Sequence, residues 1–540
     1  MIEILLLWTI TVFICFVFGE ALINTMRINN TSITVSIITG WCLLITLTNL
    51  ISLFAPVNRV ALIVGLLGAA VLAFTVCSKS FIAKIKSLKI KAVLSVVASM
   101  GFFSIMSFAF MEQVGDTLLY HAQAVRWINE YGVVKGITNL VPRMGFNNSI
   151  FCFYALGADG LYGDGLHSLL GFVLWIFALY FFETSIRCIS SKHYGIVVYS
   201  LSMLAYVVLN AGVGSTYLTD YPANFLAGFI LIEWLLSDGD RVKKECLLCV
   251  LAVVLATIKV SMAPMLLLAA HPVYVLCRDR QYKKIATSVV ACIIMGVPFV
   301  IRNVIISGWL LFPLPAIDLF DVSWKVPIEA VEKEANWVYS WARIPGSDWT
   351  LTLNSGPFAW IKIWLLDETT FYKFIYLISE IGFIAVIVRL VMKKTVDILL
   401  PYVVTLVSLI YWFCTAPDVR FVNALLFFVL WAPMMSFFDK KAGLLQGIII
   451  VLVLIASPTI INFVNYINNI EHLKNIAHGQ QIEFDESEYH DEYIGGVRFS
   501  VFTDGRPGNH ELPCIYIPSS YDVVLLGDDI SDGVAVGGIK

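Results

Sequence analysis

An acidic residue followed by tyrosine and histidine, in Gly115-Asp-Thr-Leu-Leu-Tyr-His121, stands where a hydrophobic run ends. The segment continues past Trp127, Tyr131, Asn139, Arg143 and Asn147. A carboxylate at a wet membrane mouth can act as a base on a lipid-bound substrate, and His121 could hydrogen-bond Asp116 or a substrate phosphate. The plainer reading is that Asp116 caps the next helix, because an Asp before the first turn satisfies free backbone N–H groups. Three later features add charge: Asp220 in Thr219-Asp-Tyr-Pro222, the pair Arg302-Asn303, and Asp418 and Arg420 in Pro417-Asp-Val-Arg-Phe421. Alone, each reads as an ordinary charge at a helix end that snorkels or pairs locally. Together they describe a site for an anionic substrate. Carboxylates activate a hydroxyl or hold a divalent cation, and Arg forks neutralise phosphate.

The elements that must position these residues are membrane spans. Of the 540 residues, 59% are hydrophobic and 14% charged, against roughly 45–50% and about 25% in soluble chains. Mean hydropathy is +0.82. A net charge of −3, with no basic tail and no Gly-rich phosphate loop, gives no footing for nucleic acid. Apolar runs long enough for about 30 Å of hydrocarbon predict spans near 4–24, 33–54, 57–77, 92–111, 165–184, 194–213, 221–237, 285–306, 371–391, 397–416, 421–438 and 443–464. The stretch 246–277, broken by Lys259 and Pro264, predicts two short helices forming a hairpin. The fold class is therefore an all-α polytopic helical bundle of about 14 spans.

Lysines and arginines crowd the loops at 79–91, 187–192, 241–244, 278–284, 393–394 and 440–441, which this span list puts on one side, the cytoplasmic one. The other side then holds 112–164, 307–370 and 465–540. Helical spacing gives the first of these loops an apolar stripe (Leu118, Ala122, Val125, Ile128) and a polar face (Asp116, Tyr120, Gln123, Trp127), as in an amphipathic helix lying at the surface with Trp127 at headgroup level. The tail reads as a small soluble appendage with short β-like runs. Most of the 11 cysteines lie in apolar spans, as small hydrophobes. Cys246 and Cys249 have CxxC spacing but no second pair to make a metal site.

This order of features resembles the GT-C superfamily of membrane glycosyltransferases that use polyprenyl-phosphate-linked sugars. More narrowly it resembles bacterial membrane proteins associated with surface-polysaccharide synthesis. The matching pieces are Gly115-Asp-Thr-Leu-Leu-Tyr-His121, Trp127, Tyr131-Gly132, Gly136, Asn139-Leu140, Arg143-Met-Gly-Phe-Asn147, Arg302-Asn303, Pro417-Asp-Val-Arg-Phe421 and Leu512-Pro-Cys514. Two departures stand out: no second cysteine precedes Leu512-Pro-Cys514, and three extra spans precede the first-loop motif. The resemblance implies N-terminal helices over 1–91, a GT-C-like core over 92–464 and an extracytoplasmic tail over 465–540. It implies an inverting glycosyltransferase, multi-pass in the bacterial cytoplasmic membrane and facing outward, that moves a sugar from a polyprenyl-phosphate donor to a glycan or lipid-linked acceptor. Asp116, His121 and Asp220 would be catalytic. Tyr120, Trp127, Asn139, Arg143, Asn147, Arg302, Asn303, Asp418 and Arg420 would bind substrate. Some members need a divalent cation (Mg2+ or Mn2+) and others do not, which leaves the metal open. A lipid-linked polysaccharide polymerase and a lipid-linked oligosaccharide transporter are the alternatives.

Overall fold

Long apolar runs leave the backbone no hydrogen-bond partner but itself, so in a bilayer they fold as helices. The computed structural model describes residues 2–29, 31–75, 84, 89–109, 115–159, 168–237, 241–344, 349–354, 356, 358–367, 373, 396–432, 488–503, 506–516 and 521–537. It is mostly helical. Among the described residues, 7 helices are long and apolar enough to cross a membrane: Ile2–Thr25, Ile33–Ser52, Ile90–Ser107, Leu169–Ser190, Val260–Arg278, Tyr282–Ser307 and Ile398–Thr415. The runs expected near 57–77 and 194–213 form the shorter helices Arg59–Thr75 and Tyr194–Leu209. The run near 221–237 forms Asp220–Leu235, 16 residues, about 24 Å at 1.5 Å per residue. The spans expected at 371–391 and 443–464, and the acidic run around Glu483–Glu486, lie outside the described residues except for residue 373.

Helix contacts are close where side chains are small. A Cβ on Gly19 would sit 1.8 Å from the Ser36 carbonyl oxygen, and one on Gly40 1.7 Å from that of Cys15, so Ile2–Thr25 and Ile33–Ser52 touch backbone to backbone. Aromatic side chains fill wider gaps. Trp8 stacks on Trp175 at 6.1 Å, and Trp41 meets Phe177 edge-on at 5.6 Å.

The C-terminal part carries strands. Tyr489–Ile494 and Val497–Phe502 pair antiparallel, Cys514–Ile515 joins the second in parallel, and Val523–Leu525 pairs with Val534–Val536. These strands pack against the chain that follows Ile90–Ala109. Gln123 donates to the carbonyls of Gly508 (3.2 Å) and His510 (3.0 Å), Cys514 Sγ donates to Gln123 Oε1 (3.1 Å), and Val534 N donates to Lys135 O (2.8 Å). Gly136 has φ +64°, and a Cβ there would meet the Val534 oxygen at 2.0 Å. The helix Ala122–Tyr131 is consequently not a surface float. Gln123 and Trp127 are both buried, the first beneath the C-terminal strands. None of the described cysteines, Cys514 included, is in a disulfide.

Candidate functional site

Four separated segments, carrying Asp116, Asp220, Lys259 and Arg420, meet in one cluster. Apolar helix Arg241–Ile258 stops at Lys259, whose backbone is extended (φ −149°, ψ 113°), before a 3-10 run over Val260–Ala269. The break releases the Lys259 ammonium to pair with Asp220, at the start of Asp220–Leu235, and to lie 3.5 Å from the Phe421 ring centre. One turn into that helix, Asn224 Nδ2 donates to the carbonyls of Asp220 and Arg420, both at 2.9 Å. Its Oδ1 accepts from Ala424 N at 2.9 Å. The Pro417–Phe421 turn is strapped from behind: Trp364 Nε1 donates to Pro417 O and Trp412 Nε1 to Asp418 O, each at 2.7 Å. Arg343 donates to the carbonyls of Cys414 and Thr415, both at 2.9 Å.

So held, the Arg420 guanidinium faces three carboxylates. Nη1 is 3.0 Å from Asp116 Oδ2, and Nε is 2.9 Å from Asp418 Oδ2 and 3.3 Å from Asp220 Oδ2. Nε makes no well-aligned hydrogen bond to either, so these contacts are ion pairs. Trp341 covers the guanidinium at 4.9 Å. Three acids against Arg420 and Lys259 leave one net negative charge. The cluster is graded: side-chain exposure is 35% at Arg420 and 27% at Asp116, falling to 15% at Lys259 and 8% at Asp220. The Asp116 carboxylate is thus partly open to solvent. Asp116 is not a cap, since its backbone is helical and its side chain makes no capping bond.

Burial alone would raise the Asp116 carboxyl, but nearby cationic groups outweigh it and hold the group below the usual carboxylate range. His121 is pushed down to about 4 by burial. It is neutral at pH 7, where Arg420 and Arg143 supply the positive charge beside Asp116. Burial raises Asp418 against the pull of Arg420. Arg420 is held above its ordinary range because Asp220, Asp418 and Asp116 outweigh its desolvation.

The other residues expected at the site divide. Tyr120 and His121 lie beside the cluster, their rings 4.4 Å apart, with His121 Nδ1 buried and unpartnered. Arg143 acts electrostatically on Asp116 and Tyr120, and also on Glu334 and Tyr516, two residues the sequence did not flag. Tyr516 directly follows the strand Cys514–Ile515, is 2% exposed, and has a hydroxyl without a partner.

Arg302 is engaged by a different set of partners from Arg420. Its guanidinium donates to Ser52 Oγ and Gly132 O, each at 2.9 Å, and to Asn147 Oδ1 at 3.2 Å. Asn147 in turn donates to Asn303 Oδ1 at 2.8 Å. Arg302, Asn147 and Trp127 line a cavity of about 20 Å³, room for about one water and not for a phosphosugar. Asn139 is likewise committed, donating to Trp324 O at 2.7 Å and accepting from Tyr521 at 3.1 Å. These residues brace the loop because a buried guanidinium or amide must satisfy its donors.

Lys259 and Asn224 are the further site residues the sequence undersold. A lysine between two apolar runs was a legible signal for the first, whereas nothing marked the second. Among the described residues no group of three or more His, Cys, Asp or Glu is arranged to hold a metal ion. The three converging aspartates are instead bridged by Arg420 and Lys259. Comparison with curated proteins and with solved structures returns no match. A family model does match, over residues 1–427, a range that takes in Asp116, Asp220, Lys259 and Arg420 and stops short of the C-terminal strands. The chain belongs to that family, described as a domain of unknown function (DUF8201).

Proposed function

We propose that this protein is an inverting glycosyltransferase at the extracytoplasmic face of a bacterial cytoplasmic membrane, moving a sugar from a polyprenyl-phosphate donor to a glycan or lipid-linked acceptor. The observation that carries the reading is the contact of an accessible carboxylate, Asp116, with an accessible guanidinium, Arg420, in one partly open cluster. In the reaction the acceptor oxygen bonds to the anomeric carbon as its proton passes to Asp116. The bond from that carbon to the phosphate oxygen breaks, and polyprenyl phosphate leaves with the electron pair. Arg420 is placed to take the phosphate charge as it grows, an effect commonly worth about 3–4 kcal/mol. Turning from Asp116 to phosphate, Arg420 withdraws one of the cations that depress the carboxyl and so makes Asp116 a better base. Asp220, fixed by Lys259 and Asn224, keeps Arg420 in place from the inner side.

One observation favours a transporter instead. Lys259 sits at a break between helical segments and is paired with a buried Asp, an arrangement transporters use for substrate and ion sites. The same purified protein separates the two. With a labelled polyprenyl-phosphate sugar in liposomes, transfer gives free polyprenyl phosphate and labelled acceptor, both lost with Asp116→Asn. Transport moves intact lipid-linked sugar across the bilayer with neither product. Intact translocation without transfer would overturn the enzyme reading.

A further inference from the structure

Away from the aspartates, at the other end of Arg241–Ile258, an apolar crevice of about 300 Å³ opens between that helix, Val260–Arg278 and Tyr282–Ser307. Cys246, Cys249 and Cys292 line it, with Leu276, Ser288 and Val289 among its other walls. Val273, Val289 and Ile293 on its lip are 43%, 48% and 53% exposed, so it opens sideways on the outer surface of the helices. From Ile285 to Ile293 it runs about 12 Å along a helix, close to the roughly 15 Å hydrocarbon depth of one leaflet.

The mouth is charged. The turn joining the two apolar helices carries Arg278, Arg280, Lys283 and Lys284 against a single acid, Asp279, which is paired with Arg278 at 2.9 Å. Lys284 is near enough to act electrostatically on Cys246 at the crevice wall. Tyr274 and Tyr282, 64% and 62% exposed, flank the same turn. Exposed tyrosines at the ends of apolar helices settle at the headgroup level. A cation-rich turn at headgroup depth above an apolar slot fits one class of occupant.

We propose that this crevice is a specific seat for an anionic phospholipid, its headgroup phosphate on the Arg278–Lys284 turn and one acyl chain between the helices. Basic pockets between membrane helices bind anionic headgroups in this way, each Lys or Arg adding about fivefold in affinity. The seat is independent of sugar transfer and lies at the opposite end of Arg241–Ile258 from Lys259.

The test uses the full chain in nanodiscs of equal phosphatidylglycerol and phosphatidylcholine, followed by native mass spectrometry of retained lipid. The protein retains phosphatidylglycerol selectively, and Lys283→Gln and Lys284→Gln each lower the ratio about fivefold. Val289→Trp, which fills the slot and leaves the cations intact, also lowers it. In a Cys277→Ser/Cys414→Ser background, Cys292 reacts more slowly with a membrane-permeant maleimide in phosphatidylglycerol discs than in phosphatidylcholine discs. That measurement stands if the Trp variant misfolds. Equal retention of both lipids, or selectivity that survives both Gln substitutions, overturns the proposal. So does equal Cys292 labelling in the two lipids, which would mean attraction at the headgroups without occupancy.

Discussion

Asp116→Asn separates a base from a structural acid. The pair with Arg420 is partly exposed on both sides, and such pairs contribute about 0.2–1 kcal/mol. No capping bond is lost, because Asp116 makes none, and Asn keeps an oxygen facing Nη1. Stability should therefore fall by less than about 1 kcal/mol. Catalysis should fall far more, since a positioned base contributes about 100-fold or more, or roughly 2.7 kcal/mol of barrier. The stability difference also has a sign in pH. With its folded value held below the ordinary 3.8, Asp116 contributes stability that is fully present above 3.8 and is lost as pH falls through the lower folded value. Wild type and variant should thus melt alike in strong acid and differ slightly at pH 7. The assay is release of polyprenyl phosphate from a labelled donor by purified protein, beside thermal melts from pH 2.5 to 7. A well-folded Asp116→Asn protein retaining more than about a tenth of wild-type activity refutes the assignment.

His121 should carry a separate pH signature. Its folded value lies at about 4 against an ordinary 6.5, so across that window the unfolded chain takes up a proton that the folded one refuses. Acidification through the window should cost up to about 3 kcal/mol at about 1.4 kcal/mol per pH unit, and melts of His121→Phe should show a flatter slope there. Arg302→Lys should lower thermal stability by about 3 kcal/mol, as buried acceptors lose their forked donor, with the KM for donor unchanged. Arg420→Lys should instead raise that KM; the reverse pattern would restore Arg302 as the phosphate ligand. Gly136→Ala combines a left-handed backbone with a clash on Val534, so limited proteolysis should find the C-terminal strands released. Unchanged cleavage would show that this contact does not hold them.

The amino-acid sequence by itself determined several of the helices and several of the charges worth watching. Hydrocarbon forces unbroken apolar runs to satisfy their own backbone, so Ile2–Thr25, Ile33–Ser52 and Tyr282–Ser307 follow from composition and length alone. A charge flanked by such runs is costly wherever it is buried, which made Asp116, Asp220, Arg420 and Lys259 visible before any fold was known. Which of these charges meet was a tertiary decision. Asp116, Asp220, Lys259 and Arg420 are far apart in the chain and are joined by a helix break and by Asn224. Arg302 looked equivalent to Arg420 in sequence, yet it spends its donors on Ser52, Gly132 and Asn147. The tail looked separate because short strands carry little apolar surface of their own. Its place against Gln123, Gly136 and Asn139 is set by side-chain hydrogen bonds, a backbone bond to Lys135 and a missing Cβ, and such pairings leave no periodic mark in a sequence.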